Sequence, residues 1–135
     1  MATRTQIREA VKARINAFFN TTFSYAPPTI YDDELPAAAI YFDDGETERT
    51  FDDRRADTDG RLNIEITLRA DSAADNIDAR LDEKSNDVEA QLRADNTLGG
   101  LVDYIARVGF SYDRDQETSI ASINLICTVN YQDED

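Results

Sequence analysis

The residues best placed to do chemistry in this sequence are carboxylates. Asp43, Asp44 and Glu46 stand close enough together to offer oxygen ligands to a hard cation. With Glu65 they would make the carboxylate pair of a metal-dependent nuclease. Asp57-Thr58-Asp59-Gly60 has the look of the middle of a calcium loop. That loop would need an acid where Arg55 stands and a bidentate Glu where Ile66 stands, so a tight turn feeding the next strand is the better reading. A nuclease would need a basic surface to hold its substrate. This chain has 28 Asp and Glu against 14 Lys and Arg, a net charge of −14, and repels phosphates. Weak divalent binding that screens repulsion between copies is the most these carboxylates offer.

Other catalytic inventories are empty. The chain has no histidine, which removes Cys–His and Ser–His–Asp nucleophiles and histidine-held zinc. Cys127 stands alone, so neither an intrachain disulfide nor a thiolate cluster can form, and its apolar alternating context reads as a buried, inert thiol. The five glycines form no phosphate-binding loop, and the six tyrosines are scattered rather than laid out to stack on bases. No catalytic, cofactor or metal residue is assigned, and the chain is expected not to be an enzyme.

The elements that must carry any function fit one domain of 135 residues, with 41% hydrophobic and 31% charged residues. No apolar run approaches the ~18–20 residues that cross a bilayer, and Met1-Ala2-Thr3-Arg4 lacks a signal-peptide core, so a cytoplasm-like setting is expected. From Thr3 to about Asn20, residues Ile7, Ala10, Val11, Ile15, Phe18 and Phe19 form a helical stripe, with Thr3 and Gln6 as a capping box or Thr5 as the cap instead. Pro27-Pro28 breaks the chain, and Thr29-Ile30-Tyr31 suits a short edge strand. Ala37 to Phe42 reads as a buried strand ended by Asp43-Asp44-Gly45, and residues 46–59 as an exposed loop or hairpin extension.

Arg61 to Ala70 alternates Leu62, Ile64, Ile66 and Leu68 with polar residues, a strand with one wet face. Asp71-Ser72 then caps a helix running to about Ala94, with Ala74, Ile77, Leu81, Val88 and Leu92 in its stripe and Ser85 interrupting it. Leu101 to Ile105 suits a short third helix. Val108–Asp113 and Ala121–Tyr131 form a hairpin turning near Asp115-Gln116-Glu117. Residues 1–2 and 132–135 are expected to fray. Two amphipathic helices are the only cover for the apolar sheet, so the fold class is α+β (α/β in the broad sense): one domain, with helices packed on a mixed or mostly antiparallel sheet.

Several phrases in this order are familiar. Arg8-Glu9-Ala10-Val11, Leu35-Pro36-Ala37 leading to Ile40-Tyr41, Leu62-Asn63-Ile64-Glu65 and Ala74-Asp75-Asn76-Ile77-Asp78 come first. Leu98 to Leu101, Gly109-Phe110-Ser111-Tyr112-Asp113-Arg114-Asp115 and a closing strand ending at Tyr131 follow. Over nearly the whole chain this order resembles the tail-terminator family of long-tailed phages, with residues 46–59 and the acidic tail as the expected departures.

The resemblance implies a non-enzymatic virion protein without a required organic cofactor. Six copies would form a ring on the growing end of the tail tube, stop its polymerisation and present a head-joining surface at the head–tail junction. Its partners would be its own copies, the tube protein and a head-completion or connector protein, with DNA passing through the lumen and no membrane involved. Assembly would take place in the host cytoplasm. A neighbouring head–tail stopper or a tube protein is the alternative, with an acidic DNA mimic or metal-dependent enzyme further off. A closed ring joins two different patches on each subunit. At a net charge of −14, arginines are the natural seam residues. Arg54, Arg55, Arg107 and Arg114, with Tyr112 and Asp113 beside them, are the candidate subunit or tube contacts, against the plainer possibility that they balance nearby Asp residues.

Overall fold

A computed structural model describes residues 2–49, 56–72, 74–115 and 117–134. The chain forms α1 (Arg4–Ile15), β1 (Thr21–Phe23), β2 (Ala37–Arg49), β3 (Ala56–Arg69), α2 (Ile77–Ala94), β4 (Tyr104–Asp115) and β5 (Ile120–Gln132), with short 3-10 turns at Asn16–Phe18 and Asp32–Glu34. The five strands make one sheet in the order β1-β2-β3-β5-β4. β1 runs parallel to β2 and every other pairing is antiparallel, so the α+β class and the mixed sheet are as the sequence predicts.

Helix α1 starts where its capping box requires. Thr3 Oγ1 accepts from the Gln6 amide at 3.1 Å, and Gln6 Oε1 accepts from the Thr3 amide at 2.9 Å, satisfying two N–H groups that the first turn leaves without partners. Its stripe Ile7, Val11 and Ile15 is fully buried. α2 begins at Ile77, capped by Asn76, rather than at Asp71-Ser72. Leu81, Val88 and Leu92 are buried, and Ser85 is tolerated among them because its hydroxyl donates to the Asp82 carbonyl at 2.9 Å. Both helices pack on one face of the sheet, against Ala38, Ile40, Leu62, Ile64, Ile66, Leu68, Ile123 and Leu125.

The opposite face is polar, as the alternation predicts, but its centre is not wet. Asn63, Thr67 and Ser122 are buried, with Thr67 and Ser122 hydroxyls 3.1 Å apart and Asn124 Nδ2 donating to Asn63 Oδ1 at 2.9 Å. Short side chains in mid-sheet are shielded by their own neighbours.

The remaining departures share one cause: strand pairing overrides local propensity. Asp43-Asp44-Gly45 is no turn. β2 continues through it with a bulge between Phe42 and Asp44, and pairs with β3 as far as Arg49 opposite Ala56. Residues 46–49 and 56–59 thus form the hairpin extension, not a loop, and Asp57-Thr58-Asp59-Gly60 is strand rather than turn. The edge strand is Thr21–Phe23, alongside Ala37–Ala39, and not Thr29-Ile30-Tyr31. Leu101 to Ile105 is not helical: turns cover residues 95–101, a bend follows, and β4 begins at Tyr104.

Residues 2 and 132–134, near the two ends, are paired with each other. Ala2 is fully buried and bridges Asp133 in parallel, its amide donating to the Gln132 carbonyl at 2.8 Å and its carbonyl accepting from Glu134 at 2.9 Å. A buried backbone polar group needs such partners, and here the two ends supply them to each other.

Candidate assembly surfaces

β4 is an edge strand, and three of the sequence candidates lie along it on the side facing α2. Tyr112 is opposite Ile123, and Arg107 is opposite Cys127, whose side chain is in the core. Simple alternation from Arg114 and Tyr112 would have brought Val108 to this face. The register shift between Arg107 and Gly109 makes Val108 the extra residue of a bulge and re-aims Arg107 towards α2.

Each of these side chains meets a carboxylate of its own chain. Arg114 forks onto Asp78, with Nε to Oδ1 at 3.1 Å and Nη2 to Oδ2 at 2.8 Å. The Tyr112 hydroxyl donates to Asp82, and Arg107 Nε donates to Glu89. Asp78, Asp82 and Glu89 share a face of α2 because steps of four and seven residues keep close to whole helical turns. Arg114 also lies 4.7 Å from the Tyr112 ring centre, and Arg107 lies 5.5 Å from that of Phe110. The hydrogen bonds from Arg114 hold the Asp78 carboxyl below the usual carboxylate range and raise Arg114 itself, while the bond to Asp82 raises the Tyr112 phenol. The arrangement is a zip of charge-assisted bonds between the edge strand and the helix.

Asp113 is exposed on the other face, opposite Ser122, so it is not brought together with Tyr112 and Arg114. Arg54 and Arg55 lie outside the described residues. The carboxylates on α2 were not singled out in the sequence, although their regular spacing opposite the arginines of a neighbouring strand is a readable signal.

The carboxylates considered for cation chemistry are spread out. Asp44 is opposite Arg61, with 3.8 Å between them. Glu65 is four positions further along β3, roughly 13 Å away, and accepts from the Tyr41 hydroxyl at 3.1 Å. Burial, reinforced by Glu65, pushes the Tyr41 phenol up to about 12. Towards the end of the hairpin, Glu46, Glu48, Asp57, Asp59 and Asp103 line an open cavity of about 660 Å³ with Asn130 and Gln132. The amides of Asn130 and Gln132 donate to Asp59 and Asp57. Among the described residues no three His, Cys, Asp or Glu side chains converge as metal ligands would. Cys127 is buried, and desolvation pushes its thiol up to about 12 despite the opposing pull of Arg107.

Five large apolar or aromatic side chains stand exposed among the described residues: Tyr25, Tyr31, Tyr104, Val108 and Phe110. They belong to the two edges of the sheet, near β1 and along β4. No described helix is long and apolar enough to cross a membrane.

Comparisons with known proteins agree with this architecture. A chain of a solved structure described as the virion of a native gene transfer agent particle superposes with a TM-score of 0.51. The match covers 93% of this chain and 94% of that one, at 11% sequence identity, and shows a shared fold. A search of curated proteins returns no match. The family profile described as phage minor tail protein U matches residues 2–131, nearly the whole chain, in accord with the resemblance read from its sequence. The chain therefore belongs to the phage minor tail protein U family, a family of phage tail proteins.

Proposed function

We propose that this chain is a structural protein of the virion that closes into a ring at the end of the phage tail tube, at the head–tail junction. There it stops tube polymerisation and offers the surface to which the head-completion or connector protein attaches. The observation that carries the reading is the family match over residues 2–131. Six copies form the ring, and each acts without catalysis and without an organic cofactor. At −14 per copy the ring is strongly self-repelling, so a loosely held divalent cation or salt favours closure by screening. A lumen lined with excess carboxylates lets DNA pass without sticking. Arg107 and Arg114 reach any seam already neutralised by Glu89 and Asp78, so apolar contact supplies most of its attraction.

Light scattering of the purified chain across salt and magnesium concentrations, with electron microscopy of tail tubes assembled in its presence, tests the reading. A discrete ring that caps tubes supports it. A strict monomer under every condition, with uncapped tubes, overturns it. Open-ended filaments would instead mark a tube protein.

A further inference from the structure

We infer that the ring seam joins opposite edges of the sheet, the β4 edge of one copy docking on the β1 edge of a second copy of this chain. The inference rests on the ring reading and identifies the two patches that such a ring needs. A head-to-tail ring joins two different surfaces on each subunit. The strand order places β1 and β4 at the two outer edges, where backbone N–H and C=O groups lack a neighbouring strand within the chain.

Three independent observations coincide on those edges. The first is exposure. Of the five large apolar or aromatic side chains exposed among the described residues, three lie on β4, Tyr25 follows β1 by two residues, and Tyr31 lies in the segment that Asn20 ties to the start of β1. Tyr104, Val108 and Phe110 are 40%, 65% and 56% exposed along β4, and Tyr25 and Tyr31 are 55% and 66% exposed near β1. Exposed aromatics gathered in this way mark interaction surfaces.

The second is charge. In a chain with 31% charged residues, none occurs from Ile15 to Tyr31, the stretch that contains β1. Between Tyr104 and Phe110 the only charged residue is Arg107, and it is turned back onto Glu89. Two copies at −14 each approach most easily through the surfaces where charge is missing or already matched.

The third is local geometry. The bulge at Val108 turns an apolar side chain outward where the strand would otherwise have kept it over the helix layer. On the other edge, Asn20 holds the segment around Tyr31 beside β1, its Nδ2 donating to the Asp33 carbonyl at 2.6 Å and its amide to the Pro36 carbonyl at 2.8 Å. Phe23 braces Tyr25 edge to face, their ring centres 5.5 Å apart. One edge offers protruding apolar side chains, and the other an aromatic shelf at Tyr25 that stays uncharged up to Tyr31, where Asp32-Asp33-Glu34 begins.

The test uses the full chain with Val108→Cys, Tyr25→Cys and the double substitution, treated with a short bismaleimide under conditions in which the wild-type chain forms its ring. Cys127 is buried, so the wild-type chain is the unreactive control. A covalent ladder from the double variant, with monomer from each single variant, is the expected result. Dimers from Val108→Cys alone would mean that β4 meets β4, and would overturn the inference. In parallel, Val108→Glu and Tyr25→Glu, each with an unchanged melting temperature, are expected to weaken association on the order of tenfold or more, because a carboxylate would be buried in an uncharged seam. Mixing the two should restore dimers but not rings, since only one sound seam can form. If the wild-type chain and both Glu variants close into rings alike, the seam lies elsewhere and the ring reading stands. If the wild-type chain stays monomeric throughout, both fall.

Discussion

Strand β3 passes through two environments, and its halves show how one strand serves two purposes. From Leu62 to Leu68 it runs mid-sheet beneath both helices, and nearly every side chain is buried. From Ala56 to Gly60 it belongs to an arm, paired with β2 on one side and, from Asp57, with β5 on the other, and lined by Glu46, Glu48, Asp57 and Asp59. Phe42 stands at the junction, tilted against Tyr131 with ring centres 6.2 Å apart. A Cβ on Gly60 would come within 2.8 Å of the Phe42 ring, so any larger residue there would have to displace that ring. One half earns its place by burial of apolar surface. The other relies on the backbone ladder and a few polar pairs, burying only the small Ala56, Thr58 and Gly60 while Asp57 and Asp59 face outward.

The largest test of this contrast is Ile64→Ala. It removes a fully buried side chain from the middle of the core and should cost about 2–5 kcal/mol in chemical denaturation. A cost below about 1 kcal/mol would mean that the helix layer is not what stabilises the fold.

Acid should act next, through the helix layer. The carboxyls of Asp75, Asp78 and Asp95, near the two ends of α2, are all held below the ordinary carboxylate range. Asp95 is lowered most by Thr97, whose hydroxyl and amide donate to it, then by the Gly99 amide, with Arg14 at 3.1 Å adding to the effect. A folded-state pKa below the unfolded one adds stability that is fully present above about pH 4 and is lost as pH falls through the folded values. Melting temperature should therefore drop on acidification below about pH 4. Asp95→Asn should lower it at neutral pH and flatten the acid limb, and an acid limb as steep as wild type would remove Asp95 from the account.

The smallest effect belongs to the arm. Thr47→Val removes the 2.9 Å contact with the Thr58 hydroxyl, but that hydroxyl keeps the Ala56 carbonyl at 3.2 Å. The expected cost is about 1 kcal/mol or less, measured by the same denaturation. A loss as large as that of Ile64→Ala would make the arm part of the core and erase the distinction.

The sequence was most readable where a period or a cap carried the information. The Thr3–Gln6 box, the stripe of α1 and the alternations of β3 and β5 all led to the right elements, because each is decided within a few residues. Asp43-Asp44-Gly45 misled because turn chemistry is local whereas the β2–β3 ladder is not. Thr21–Phe23 was missed because three residues carry no period, and it becomes a strand only by lying against Ala37–Ala39. At the surface, Arg107, Tyr112 and Arg114 could be named, but their pairing with Glu89, Asp82 and Asp78 depends on how β4 lies against α2. The outward turn of Val108 depends on a bulge that no single residue announces.

The bridge between Ala2 and Asp133 also has a mechanical meaning. Residues 131 positions apart in sequence lie side by side, so tension applied near the two ends meets this short parallel contact before it reaches the sheet. β5 lies between β3 and β4, and the load would pass next into that strand, which is paired on both sides. Under load the chain would thus give way first at a fastening whose release leaves the five strands and their helix layer intact.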